Sequence, residues 1–168
     1  MHTLYLISVF IHILSAAVWV GGMFFLILVL IPVLRRPEHQ GIFSGLFYQT
    51  GMRFRTVGWI SLSLLIVTGT FNLAFRGYGI SDLMTGRLFD GQFGRVLMEK
   101  LIIVGLILLI SVVHDFWIGP KASELMRQDP QPPASRKYRS AAVMIGRLNF
   151  VLALLVVMLA VMLVRGGF

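Results

Sequence analysis

Four long apolar runs constrain this chain more than any other feature: residues 4–34, 57–75, 96–118 and 148–164 read almost without a charge. A helix crosses the hydrocarbon of a bilayer in about 20 residues at about 1.5 Å per residue, so each run is close to, or longer than, one crossing. In lipid the backbone has no water to satisfy it, which leaves helices or closed barrels, and runs of this length read as helices. With 57% of its 168 residues hydrophobic and only 13% charged, the chain lacks the polar surface of a water-soluble domain. The expected fold is therefore an all-α, integral membrane four-helix up-and-down bundle. It forms one transmembrane domain over 1–168, with helices at about 3–34, 57–75, 95–118 and 145–165. No stretch is left for a separate soluble catalytic unit, so any chemistry lies among the helices. The first run exceeds a signal-peptide core and has no Lys or Arg before it, so it reads as a retained span.

Charge sets the expected orientation. Lys and Arg number 15 against 7 Asp and Glu. Arg35, Arg36, Arg53 and Arg55 follow the first run, and Lys121, Arg127, Arg136, Lys137, Arg139 and Arg147 separate the third from the fourth. By the positive-inside rule these two segments face the cytoplasm and both termini lie outside, in a multi-pass protein of the cell inner (plasma) membrane. The basic excess then serves a lipid bilayer and not nucleic acid. The glycine-rich linker 76–95 reads as an outer loop with one short surface helix. The stretch 121–140, with Pro130, Pro132 and Pro133, reads as a flexible cytoplasmic loop. The absence of cysteine excludes disulfides, thiolate zinc sites, Cys-ligated iron–sulfur clusters and covalent c-type haem, leaving His, Met, Lys or carboxylate as ligands. No phosphate loop, dinucleotide fingerprint or HExxH helix is present.

Ionisable groups inside spans are costly and mark candidate sites. They are His12, Lys100 with Glu99, and His114 with Asp115. Ser8, His12, Ser15, Ala16, Trp19 and Gly22 fall at spacings of three, four and seven, making one small, polar face that turns His12 into the bundle. Its depth is roughly 12 Å below the outer helix edge. Lys100 and His114 share a helix face with Ile107 and Ser111, but Lys100 sits near the level of His12 and His114 about 21 Å deeper. Axial ligands of one haem must stand at nearly equal depth, which makes His12 with Lys100 a better pair than His12 with His114. Plainer roles compete: Lys100 snorkelling or pairing with Glu99, His12 hydrogen-bonded to a serine on a neighbouring helix, His114-Asp115 anchored by Arg53 or Arg55, Trp19 as core. Met158 and Met162, one turn apart at the level of His12, supply soft thioethers suited to Cu(I) or to ordinary packing.

The run from His12 through Trp19 to Phe24, Met52-Arg53-Phe54-Arg55 leading to Val67-Thr68-Gly69, and Gly94-Arg95 through Lys100 to Pro120 resemble the copper resistance protein D (CopD) membrane family. They are also similar to the bacterial membrane-bound protoporphyrinogen oxidases, whose pattern His12, Trp19 and Lys100 match. In those oxidases the fourth helix opens with Arg, Asn-Glu and Pro. Here Arg147 and Asn149 stand in place, Phe150 occupies the Glu position and the Pro is missing, which tilts the resemblance toward CopD. The oxidase resemblance implies haem b near His12 with Lys100 as possible second ligand; the CopD resemblance implies copper.

The resulting expectation is a haem-b-binding membrane redox protein, with His12 as axial ligand, Lys100 as second ligand or catalytic proton-handling group, Trp19 against the macrocycle and Arg76 or Arg95 at the propionates. If it is an enzyme it is an oxidoreductase, protoporphyrinogen oxidase-like or quinone-linked, with a redox partner protein or quinone. The alternative is a copper-binding, copper-transport or resistance protein without haem, using His12, Met158 and Met162, with His114 as an inner release site. A third reading makes these residues packing within a homodimer or larger membrane complex.

Overall fold

A computed structural model describes residues 2–128 and 133–166, without the side chains of residues 40, 44, 123, 126–128, 133–136 and 139. It is 93% helical, and no strand occurs among the described residues. The elements are α1 (His2–Leu34), α2 (Gln40–Phe75), α3 (Ile80–Met84), α4 (Gly91–Val113), α5 (Gly119–Gln128) and α6 (Pro133–Arg165). Four helical stretches, His2–Leu34, Gly41–Phe75, Gly91–Ala122 and Ser140–Arg165, are long and apolar enough to cross a membrane. Their outward faces carry Phe10, Ile13, Leu28, Val67, Leu109 and Val164, all more than half exposed, a surface that only lipid tolerates.

Two prolines shape the helices without ending them. Pro32 and Pro120 have no N–H for the carbonyl four residues back, and each follows a π-helical turn, Leu26–Leu30 and His114–Ile118. The wider turn absorbs the defect, so the third span does not stop at Gly119-Pro120 but runs on into α5. The stretch 121–140, expected to be a flexible loop, is instead helical up to Gln128 and again from Pro133. Proline is suited to a first helical position, where its missing N–H costs nothing. The expectation for Pro130 and Pro132 lies outside the described residues. The second helix likewise begins at Gln40, before the apolar run at 57. Its 36 residues measure about 54 Å, well beyond the hydrocarbon thickness, and Phe43 stacks on Phe47 along the extension. At its other end Gly77, at φ 88°, turns the chain out of the helix, its N–H bonded to the Ala74 carbonyl. The expected short surface helix in the 76–95 linker is α3, where Asp82 is buried and its carboxylate accepts from the Gly79 N–H at 2.7 Å.

The chain divides into two compact units, Met1–Thr85 and Gly86–Phe168. In the first, α1 and α2 pair antiparallel. Tyr5 stacks on Phe75 at 4.4 Å, Ser8 donates to the Thr68 carbonyl at 3.4 Å, and Trp19 lies against Gly58. Gly22 lies so close to the Phe54 ring that a Cβ would come within 2.4 Å of it. Ser8, Ser15, Trp19 and Met23 are buried, so the small face of α1 is its packing face. Small residues allow this approach, and packing with interhelical hydrogen bonds replaces the hydrophobic effect that lipid cannot supply. In the second unit α4 pairs with α6, with Val96, Leu97, Ile107, Ala153 and Leu159 at its centre.

Candidate functional site

His12 lies half-buried on the packing face of α1, and its Nδ1 is 2.8 Å from the Thr68 hydroxyl on α2. That hydroxyl has one proton, and it goes to the Leu64 carbonyl one turn back at 2.6 Å. Thr68 can therefore only accept from His12. Nδ1 then carries the imidazole proton, which fixes the tautomer of the ring. Gly69 flanks the ring: a Cβ there would stand 3.3 Å from His12 Cε1, so glycine leaves room for the imidazole. A metal-bound histidine is commonly set in this way, by a hydrogen bond from its other nitrogen. The sequence placed His12 inward and named a hydroxyl partner, but a serine. The threonine was concealed because a helical Thr is usually satisfied by its own helix, as Thr68 also is.

Trp19, two turns along the same face, is 6% exposed, its indole against Gly58 and covered within the first unit. Arg76 is exposed at the end of α2, where its backbone N–H closes the helix on the Leu73 carbonyl.

The remaining candidates stand in the second unit. Lys100 is half-buried on α4, with Arg95 and Glu99 exposed nearby. Met158 is 53% exposed on α6. Met162, one turn on and half-buried, lines a recess of about 180 Å³ with Gln92, Phe93, Val96, Leu163 and Gly166. That recess is below the roughly 300–1,000 Å³ of pockets for drug-sized ligands and of a size for an ion or a small molecule. His114 opens the π turn after α4, its Nδ1 2.8 Å from the Asp115 carboxylate. One turn before it, Ser111 is buried and bonded to Asn149 of α6 at 3.2 Å. Asn149 was missed as a site residue, although an amide in an apolar span was a signal available in the sequence. Among the described residues no three His, Asp or Glu side chains converge on a common metal position.

These features define a multi-pass helical membrane protein whose first helix pair holds a half-buried histidine against a threonine hydroxyl. The chain matches the family described as Copper resistance protein D (CopD) over residues 48–163, and it belongs to that family. The matched segment contains Thr68, Lys100, His114, Met158 and Met162 and begins after His12 and Trp19. The chain is also 36% identical over 154 residues, 90% of each chain, to a protein of Aquifex aeolicus (strain VF5) described as an uncharacterized protein. No solved structure matches it.

Proposed function

We propose that this protein handles copper in the cell's inner membrane, taking Cu(I) as cargo on His12 and on the thioether pair Met158 and Met162. The observation that carries the reading is the Thr68 hydrogen bond, which commits Nδ1 of His12 and directs coordination to Nε2. Membership of the CopD family supports copper as the metal. Thioether and imidazole are soft and borderline donors, a set that suits Cu(I). The two stations lie on different units and are assigned separately. Sparse ligation suits a passing ion, since a site with few donors releases what it binds.

Replacing Thr68 with Val keeps the side-chain shape and removes the acceptor. Cu(I) affinity at His12, measured by competition with a chromogenic chelator, should fall 10–100-fold, the usual effect of losing a ligand's outer partner. Thr68→Ser should restore it, and an unchanged Thr68→Val would mean that the hydroxyl does not set the imidazole. Replacing both Met158 and Met162 with Leu preserves volume and costs little stability. The double variant should bind less Cu(I) per chain while keeping the His12 station; an unchanged stoichiometry would remove the methionines from the path. The competing reading places haem b on His12, passing electrons to a partner protein or quinone. A reduced-minus-oxidised spectrum of the same preparation decides: a b-type Soret band lost in His12→Ala supports haem, and a colourless protein that binds Cu(I) supports copper.

A further inference from the structure

Where α2 leaves the membrane, the chain turns back instead of running out into water. Gly77 donates its N–H to the Ala74 carbonyl at 3.0 Å, and Tyr78 donates to the Leu73 carbonyl at 3.2 Å. This pair of bonds closes a helix and folds the next residues over its last turn, so Tyr78 is held at the level where the span ends. Ile80, the first residue of α3, is two residues further on, about 7 Å of chain at most. The lipid-facing side of α2, marked by the exposed Val67, Phe71 and Phe75, runs up to the same level. The short helix α3 therefore begins beside the lipid surface.

Its pattern is the reverse of a helix that borders water. Ile80 is 79% exposed, Leu83 52% and Met84 83%, whereas Asp82 is 6% exposed. At about 100° per residue the three apolar side chains, spaced i, i+3 and i+4, share an arc of about 100°, and Asp82 falls on the opposite side. The capping bond explains how the carboxylate tolerates burial: Asp82 Oδ2 accepts from the Gly79 N–H at 2.7 Å and so opens the helix. It also sets the rotation of α3, since a helix that turns Asp82 inward must turn Ile80, Leu83 and Met84 outward. An outward apolar arc continuous with the end of a span fits the acyl boundary of a lipid leaflet. Arg76, exposed at the last turn of α2, stands at the height of the lipid phosphates.

We infer that α3 is an interfacial anchor. Ile80, Leu83 and Met84 enter the boundary between headgroups and acyl chains to a depth of about 5–10 Å, in the leaflet that α2 meets at Phe75. The anchor fixes the depth of the α1–α2 pair in the membrane and holds it against sliding. It does not depend on the reading of His12.

The chain has no cysteine, so a single introduced thiol takes a fluorescent label at one place only. Ile80→Cys and Met84→Cys test the arc, Thr85→Cys provides an exposed position off it, and Val67→Cys marks the lipid-facing side of the span. All four side chains are exposed, so the replacements leave the interior packing in place. In full-length protein reconstituted in phosphatidylcholine vesicles, labels at 80 and 84 should show blue-shifted emission and lose quenching by aqueous iodide. A nitroxide carried high on the lipid acyl chain should quench them more than one carried near its end, with the opposite order at 67. The label at 85 should remain open to iodide. Iodide quenching at 80 and 84 as strong as at 85 overturns the anchor. Shielding from iodide without quenching by either lipid also overturns it, because protein and not lipid would then cover the arc.

Discussion

Gly94→Ala should unfold the second unit at markedly lower temperature than wild type in detergent. A Cβ at this buried glycine would lie 2.2 Å from the Phe89 carbonyl carbon and 2.6 Å from its Cα and oxygen. The obstacle is backbone, not a side chain that can swing away. It belongs to the turn Arg87–Phe89, against which the first turn of α4 closes, with Leu88 buried beside it. Overpacking of this kind costs about 1–3 kcal/mol, occasionally more, against which the better helix propensity of alanine returns about 1 kcal/mol. Gly105 on the same helix provides the control, since nothing lies within 4 Å of a Cβ there. Gly105→Ala should be neutral or stabilising by about 0.5–1 kcal/mol. Equal melting temperatures for the two variants would mean that the approach of α4 to Phe89 is not as close as described.

The second large effect is the loss of Cu(I) from His12→Ala. The variant removes the imidazole but leaves Thr68 bonded to Leu64, so the helix pair keeps its hydroxyl satisfied. Neighbouring contacts, Tyr5 on Phe75 and Trp19 on Gly58, flank the position on either side and do not pass through it. Binding and folding are therefore separable at this residue, and thermal unfolding should change far less than affinity.

The four spans were legible because hydropathy reports the portion of a helix that meets lipid. For the same reason it was blind to the rest. The α2 extension at 40–56 has three glycines and two arginines, and α5 is charged, so both read as connections although both are helical. The packing face of α1 was legible from spacing, since small residues repeated at three and four can only stack along one side, and Ser8, Ser15 and Trp19 are buried there. Pairing across helices was not legible. Which residue of α2 stands opposite His12 depends on the register set by the turn at 35–39 and by Gly22 admitting the Phe54 ring, neither of which has a periodic signature. His114 shows the same limit in another form. Its face runs through the buried Ile107 and Ser111, but the π turn at His114 follows from Pro120, and the amide bonded to Ser111 comes from the partner helix.

Whether Nε2 of His12 is a copper ligand is decided by a Cu(I) competition titration of purified wild type against His12→Ala, with thermal unfolding recorded for both. The variant should lose one Cu(I) equivalent while its unfolding temperature stays close to that of wild type. The same stoichiometry and affinity in both proteins would contradict it.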